Sequence, residues 1–163
     1  MTETSRIIVG VDGSESGQRA LCWAVGEAAR RNEAGQPTTV QAIIAWRDEF
    51  LAGPMGTAVD LPSLAALAER TLSAAVAQAR AAYPQVSVAS QVVHGTAADV
   101  LGRASDDADL LVVGSHGHRL LYAAALGSVA EACVRTATCP VVIMPAARSS
   151  STSPEREILV ATE

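Results

Sequence analysis

The residues best suited to chemistry lie in one stretch, Asp109 to Ser128, DLLVVGSHGHRLLYAAALGS. Leu110 to Val113 is a short, continuous apolar run, the pattern of a parallel strand buried on both faces. The run stops at Gly114, Gly117 follows, and nine residues then pass before Gly127-Ser128, where helical spacing begins at Val129, Ala132 and Cys133. Glycine lets the backbone approach an anion closely and take up positive φ. A helix opening at Gly127-Ser128 presents unsatisfied N–H groups and the positive end of its dipole. The chemistry expected from this pattern is phosphate binding by backbone donors; the plainer reading is a glycine-bearing connection that holds nothing. The stretch is not a P-loop, because no G-x4-G-K-[ST] occurs, and no G-x-G-x-x-G follows any predicted strand.

The spacing G-x2-G-x9-G-S, complete at Gly114, Gly117, Gly127 and Ser128, resembles the nucleotide-binding signature of the universal stress protein family, specifically its ATP-binding branch. The resemblance extends from about Arg6 to Pro145. It implies a ligand of the adenine-nucleotide class: ATP with magnesium, or cyclic AMP as the alternative. It also implies roles for individual residues. Asp12 contacts ribose or adenine or helps hold a metal, helix capping being its other reading. Ala45 packs on the adenine, with Ile44 and Trp46 as the neighbours that a one-residue shift would select. Gly114 and Gly117 run beside ribose and phosphates, while Gly127, Ser128 and Val129 donate backbone N–H groups and Ser128 adds its hydroxyl. His116, His118 and Arg119 sit within the loop. Arg119 is a phosphate contact by this resemblance, and the plainer reading of both histidines is exposed loop.

What the resemblance implies for function is a regulatory binding module of the stress response. No base is positioned beside a nucleophile in the sequence, and no second carboxylate pairs with Asp12, so slow ATP hydrolysis or autophosphorylation is the most catalysis expected. Family dimers pair the strand that corresponds to Pro140–Met144, so a homodimer is expected. Two features depart from a strongly basic phosphate loop: it holds no lysine, and Leu120-Leu121-Tyr122 is apolar. Both suit the single phosphate of cyclic AMP. A dimeric interaction module with a vestigial nucleotide site is the remaining alternative.

These residues need a scaffold, and the rest of the chain supplies its signals in order. Arg6–Val11 reads as a buried first strand, followed by the polar turn Asp12–Gly17 and a helix from about Gly17 to Asn32, with Leu21, Ala24, Val25 and Ala28 on one face. Gly35-Gln36-Pro37 ends it. Val40–Trp46 is a second strand, and a long connection with Gly53, Pro54, Gly56 and Pro62 follows. Leu64 to Ala79 is periodic as a second helix, closed by Pro84. Val86–Val93 is a third strand; Thr96 caps a short helix through Val100, Leu101 and Ala104, with Asp99 at the capping-box position. After the glycine loop come a helix to about Thr136 and a fifth strand, Val141–Met144. Alternation of this kind predicts a three-layer α/β domain with a five-stranded parallel sheet. The flavodoxin-like order, shared with adenine-nucleotide α-hydrolases, is 3-2-1-4-5. In that order the strand direction of growth reverses between the first and fourth strands, which end at Asp12 and Gly114, and ligands bind at such a reversal.

The expected division is a domain over residues 1–146 and a linker with a β-prone tail over 147–163. In that tail Arg156–Thr162 (REILVAT) echoes Arg6–Val11. It reads either as a truncated second copy or as a coincidental β-prone peptide that is disordered or adds to a sheet edge. With 163 residues, 49% of them hydrophobic and only 3% aromatic, the core must be built from Ala, Val, Leu and Ile. A net charge of -5 argues against nucleic acid or anionic membrane as partner. MTETSR lacks the basic-then-apolar pattern of a signal peptide, no apolar run has the length of a membrane span, and the three cysteines form no CxxC pair. The expected location is therefore cytoplasmic, with Cys22, Cys133 and Cys139 as reduced core residues.

Overall fold

The computed structural model describes residues 4–47, 61–116, 126–146 and 159–161. The central strand β1 (Ser5–Gly10) carries Ile7, Ile8 and Val9 at 0–1% exposure, because it is sandwiched between helices on both faces. It pairs in parallel with β2 (Thr38–Trp46) on one side and β4 (Leu110–Gly114) on the other. Beyond these lie β3 (Val88–His94) and β5 (Val141–Met144), also parallel, which gives the expected order β3-β2-β1-β4-β5. A sixth strand, β6 (Leu159–Ala161), then joins β5 antiparallel, Val142 opposite Val160. It lies along the edge of β5, the strand expected to pair with its mate in a homodimer.

Alternation along each strand sorts side chains to the two faces of the sheet. Ile7, Val9, Val40, Ala42, Ile44, Leu110 and Val112 face α1 (Glu15–Glu33) and α2 (Leu61–Ala82), and form the larger core cluster. Ile8, Ile43, Leu111, Val113, Val141 and Ile143 face α3 (Ala97–Ala104) and α4 (Ser128–Thr136), where Leu101, Ala130 and Cys133 meet them. Small residues on the helices (Ala20, Ala24, Ala28, Ala75 and Ala79) let them lie close to the sheet and to each other without aromatic filling. The three cysteines are free. Burial pushes the Cys133 thiol up to about 11, so it behaves as a small hydrophobe rather than a nucleophile.

Helix ends follow local chemistry. Ser14 caps α1, its hydroxyl accepting from the Gly17 N–H at 3.1 Å. Gly35, at φ 78°, stops that helix, a left-handed conformation that suits glycine. Thr96 caps α3 by accepting from the Asp99 N–H. The Asp99 carboxylate differs from a full capping box: it accepts from the Thr96 hydroxyl at 2.7 Å, because aspartate is one methylene shorter than the usual glutamate.

On the outer face of α1, Glu27 accepts from Arg30 and Arg31 at 2.7–2.9 Å. The Arg30 hydrogen bonds chiefly, and Arg31 after the opposing effect of partial burial, hold its carboxyl below the ordinary 4.5. A lowered native value stabilises the fold fully above the unfolded-state pKa and loses that contribution as the pH falls through the native one. Glu27→Gln is thus expected to cost about 0.5 kcal/mol at neutral pH, the usual worth of such a helical pair. Urea midpoints of the two proteins should converge in acid, and a gap that persisted there would assign the loss to packing.

Candidate functional site

The carboxyl ends of β1 and β4 open a cavity of about 290 Å³ at the point where the strand order reverses. The cavity is near the lower size limit of small-molecule sites. Of the residues singled out from sequence, Asp12, Ala45, Gly114, His116, Gly127, Ser128 and Val129 all line it. Gly117 and Arg119, with His118, lie outside the described residues. The strand register chooses Ala45 over its neighbours. Ile43 and Ala45 face the cavity side of β2, whereas Ile44 is buried under α1 and α2, and Trp46 packs there too. Trp46 also meets His94 edge to face at 4.8 Å, which gives that histidine a structural contact.

Three helices point their N-termini into this space. Ser14 and Gly17 of the α1 start, Ala97 of α3, and Ser128, Val129 and Ala130 of α4 all line it. The first turn-closing bond of α4 runs from Glu131 N–H to Gly127 O, so the N–H groups of Ser128, Val129 and Ala130 have no intrahelical acceptor. Aligned dipoles and orphan donors of this kind favour an anion.

Several expected roles are corrected by the geometry. Gly127 does not offer its N–H to the cavity: it donates to Ser115 O at 2.8 Å and ties the two ends of the loop together. Ala130, which spacing did not single out, takes its place among the donors. Neither Gly114 nor Gly127 has positive φ; Gly127 sits at φ −65°, ψ 155°, a conformation open to any residue. Gly114 is required for another reason. A Cβ there would stand 2.8 Å from Ser16 C and 2.9 Å from Gly17 N, so the absent side chain lets α1 start directly against the end of β4.

Asp12 is not the helix cap. Its Oδ1 accepts from the Ser14 N–H at 2.9 Å and from the Ser14 hydroxyl at 2.5 Å, an Asx turn that orients the residue doing the capping. Gly17 leaves room for this carboxylate, since a Cβ at that position would lie 2.7 Å from Oδ1. Ser16 is buried and donates to His116 O, which clamps the loop to α1.

His116 is half-buried rather than loop-exposed. Its Nδ1 lies 2.9 Å from the Ser115 hydroxyl, and its Nε2 is buried with no hydrogen-bond partner among the described residues. This juxtaposed hydroxyl and imidazole escaped the sequence reading, because adjacent residues on a strand end face opposite ways unless the backbone turns. The missed apolar lining is Ile43, Ala97, Leu101 and Val113. It comes from three elements, β2, α3 and β4, and only the fold collects it. Asp12 is the one carboxylate among the described lining residues. No described group of three or more His, Cys, Asp or Glu residues could hold a metal by itself.

A doubly wound parallel sheet with a crevice at its switch point places the chain in the class of α/β folds whose ligand sites lie at the carboxyl ends of the strands. Comparison with known proteins narrows the class. Residues 3–145 match the universal stress protein family, and the chain belongs to that family. The Mycobacterium tuberculosis universal stress protein Rv2623 is 34% identical over 137 residues, covering 84% of this chain and 44% of that protein. The chain spans about half the length of the curated relatives it matches, 44–52% for those compared. Among solved structures, a universal stress protein in complex with cAMP superposes with a TM-score of 0.66 at 27% identity, covering 88% of this chain and 98% of the other. A family member from Burkholderia pseudomallei gives 0.63 at 28%, with coverage of 87% and 96%. No described helix is long and apolar enough to cross a membrane.

Proposed function

We propose that this chain is a regulatory module that binds an adenine nucleotide, ATP in the first instance, in the crevice between β1 and β4. The observation that carries the reading is the head of α4: three N–H groups, those of Ser128, Val129 and Ala130, without intrahelical acceptors at the cavity wall. They suit phosphate oxygens, and the Ser128 hydroxyl and the buried Nε2 of His116 suit further polar atoms of the ligand. Ile43, Ala45, Leu101 and Val113 make an apolar wall for a purine, with Asp12 placed for ribose hydroxyls. Where magnesium accompanies the phosphates, Asp12 is the carboxylate to hold it, the remaining positions being water and phosphate oxygen.

Binding rather than turnover fits this lining, since Asp12 has no second carboxylate beside it for acid–base work. Cyclic AMP is the second reading. The small cavity favours one phosphate over three, and the 27%-identical relative was solved with that ligand. A homodimer through β5 would have to displace β6 from that edge.

Calorimetric titration of nucleotide-stripped protein with ATP, ADP, AMP and cyclic AMP, with and without magnesium, tests the reading. Micromolar, magnesium-dependent ATP binding that disappears in Gly127→Glu is the expected result, because a carboxylate at the N-cap keeps the helix but repels phosphate. A preference for cyclic AMP would move the assignment to the second reading. Absence of heat with all of them would end the nucleotide assignment.

A further inference from the structure

Just past the end of β4, the imidazole of His116 is held by its neighbours in a single posture. The Ser16 hydroxyl donates to His116 O, and the Gly127 N–H donates to Ser115 O at 2.8 Å, so the backbone carrying the ring is tied to both α1 and the α4 N-cap. The ring itself is fixed through Nδ1, which lies 2.9 Å from the Ser115 hydroxyl. Ser115 is buried, and so is Nε2, which has no hydrogen-bond partner among the described residues. The bond between Ser115 and Nδ1 could run in either direction, and the two directions leave different groups unmatched. With Nδ1–H as donor, the buried hydroxyl hydrogen would have no acceptor among the described residues, and Nε2 would hold an unmatched lone pair. With the hydroxyl as donor, its hydrogen meets the Nδ1 lone pair, and Nε2–H is the one hydrogen left over. Buried polar groups are overwhelmingly matched, so the second direction is the stable one.

We infer that Ser115 is a positioning residue that fixes His116 as the Nε2–H tautomer, and that this N–H is a neutral donor to the ligand's phosphate, beside the N–H groups of Ser128, Val129 and Ala130. The inference rests on the nucleotide reading of the crevice, whose wall His116 and Ser115 both line. It gives the imidazole one task and removes two others. A nitrogen that bears hydrogen has no lone pair for a metal ion, and the lone pair at Nδ1 is engaged by Ser115. His116 therefore neither ligates magnesium nor takes a proton from the ligand. What it selects is an acceptor. Non-bridging phosphate oxygens only accept, whereas a ribose hydroxyl can turn to donate or to accept, so a fixed donor discriminates for the phosphate.

Two measurements on the full chain decide it. Multiple-bond NMR of ligand-free protein labelled with 15N-histidine, in mildly alkaline buffer, separates the two neutral tautomers by which ring nitrogen carries the hydrogen. His116→Gln identifies the signals of residue 116 among the three histidines. The expected pattern is Nε2–H in wild type and in Ser115→Thr, which keeps the hydroxyl. Titration with AMP, ATP and adenosine then reads the ligand side, with circular dichroism to check that each variant is folded. His116→Ala should weaken AMP and ATP binding about tenfold, equally with and without magnesium, and leave adenosine unchanged. His116→Gln, whose amide N–H replaces that of Nε2, should recover most of the loss. Ser115→Ala should weaken the nucleotides about threefold, and Ser115→Thr should restore them. An Nδ1–H pattern in wild type overturns the inference even where nucleotides bind. So does a loss in His116→Ala that adenosine shares or that vanishes without magnesium. Wild-type protein that binds no nucleotide at all is recognised in its own titration, whatever the tautomer, and removes the nucleotide reading together with this inference.

Discussion

Gly114→Ala is expected to lower the stability of the protein by about 3 kcal/mol, the upper range for overpacking a filled site. The reason is specific to where β4 ends. The new methyl would collide with Ser16 Oγ and stand 2.8 Å from Ser16 C and 2.9 Å from Gly17 N. A side-chain hydroxyl can rotate away, but the two backbone atoms cannot move without shifting the first turn of α1. That turn holds the Ser14 cap, the Asp12 carboxylate and the Ser16 clamp on His116 O. The same methyl should therefore weaken ligand binding as well as folding, with affinity lost even at temperatures where the variant remains folded. Urea unfolding followed by titration with the wild-type ligand measures both. A loss below about 1 kcal/mol would mean that β4 and α1 separate easily, and that Gly114 is not held by their contact. Gly10→Ala makes an instructive comparison: its Cβ would meet Leu101 Cδ1 at 2.7 Å, the far end of a side chain that can turn, so its cost should be smaller.

Ser128→Pro should remove binding while leaving the fold alone. Ser128 is the first residue of α4, where proline is well tolerated because its missing N–H has no helical partner. Gly127 before it already has φ −65° and ψ 155°, the extended conformation that a following proline imposes. The substitution thus deletes one of three crevice-facing donors, and the hydroxyl with it, at little conformational cost. A lost hydrogen bond to a charged phosphate corresponds to about tenfold to a hundredfold in dissociation constant. Ser128→Ala, which deletes only the hydroxyl, should lose less, and the difference between the two isolates the backbone donor. The melting temperature of Ser128→Pro should stay within a few degrees of wild type. Undiminished affinity in Ser128→Pro would take the head of α4 out of the site, and the phosphates would have to be held elsewhere.

The sequence by itself determined the layered sheet and the place of its crevice. Apolar runs, helical periodicity, and punctuation by Gly35, Thr96 and Pro140 are local signals, written in residues a few positions apart. They located β5 as Val141–Met144 and α4 through Thr136, as the structure has them. The glycine spacing likewise marked Gly114, Gly127 and Ser128, all of which line the cavity.

What only the tertiary structure decided were facts that depend on register and on contacts between distant positions. Which of Ile44, Ala45 and Trp46 faces the crevice is a matter of strand parity against α1 and α2, and a single strand cannot announce its own inward face. That Gly127 spends its N–H on Ser115 O, that Gly114 is small for the sake of Ser16 and Gly17, and that Ala130 joins the donors are contacts made across the chain. The apolar wall of Ile43, Ala97, Leu101 and Val113 draws on three elements far apart in the chain, none distinctive alone. The tail shows the same limit most plainly. Its sequence resembles β1, a central parallel strand, yet Leu159–Ala161 lies antiparallel at the sheet edge, along the outer side of β5. Strand propensity is carried by the residues, but the partner and the direction are set by which edge the folded domain leaves open.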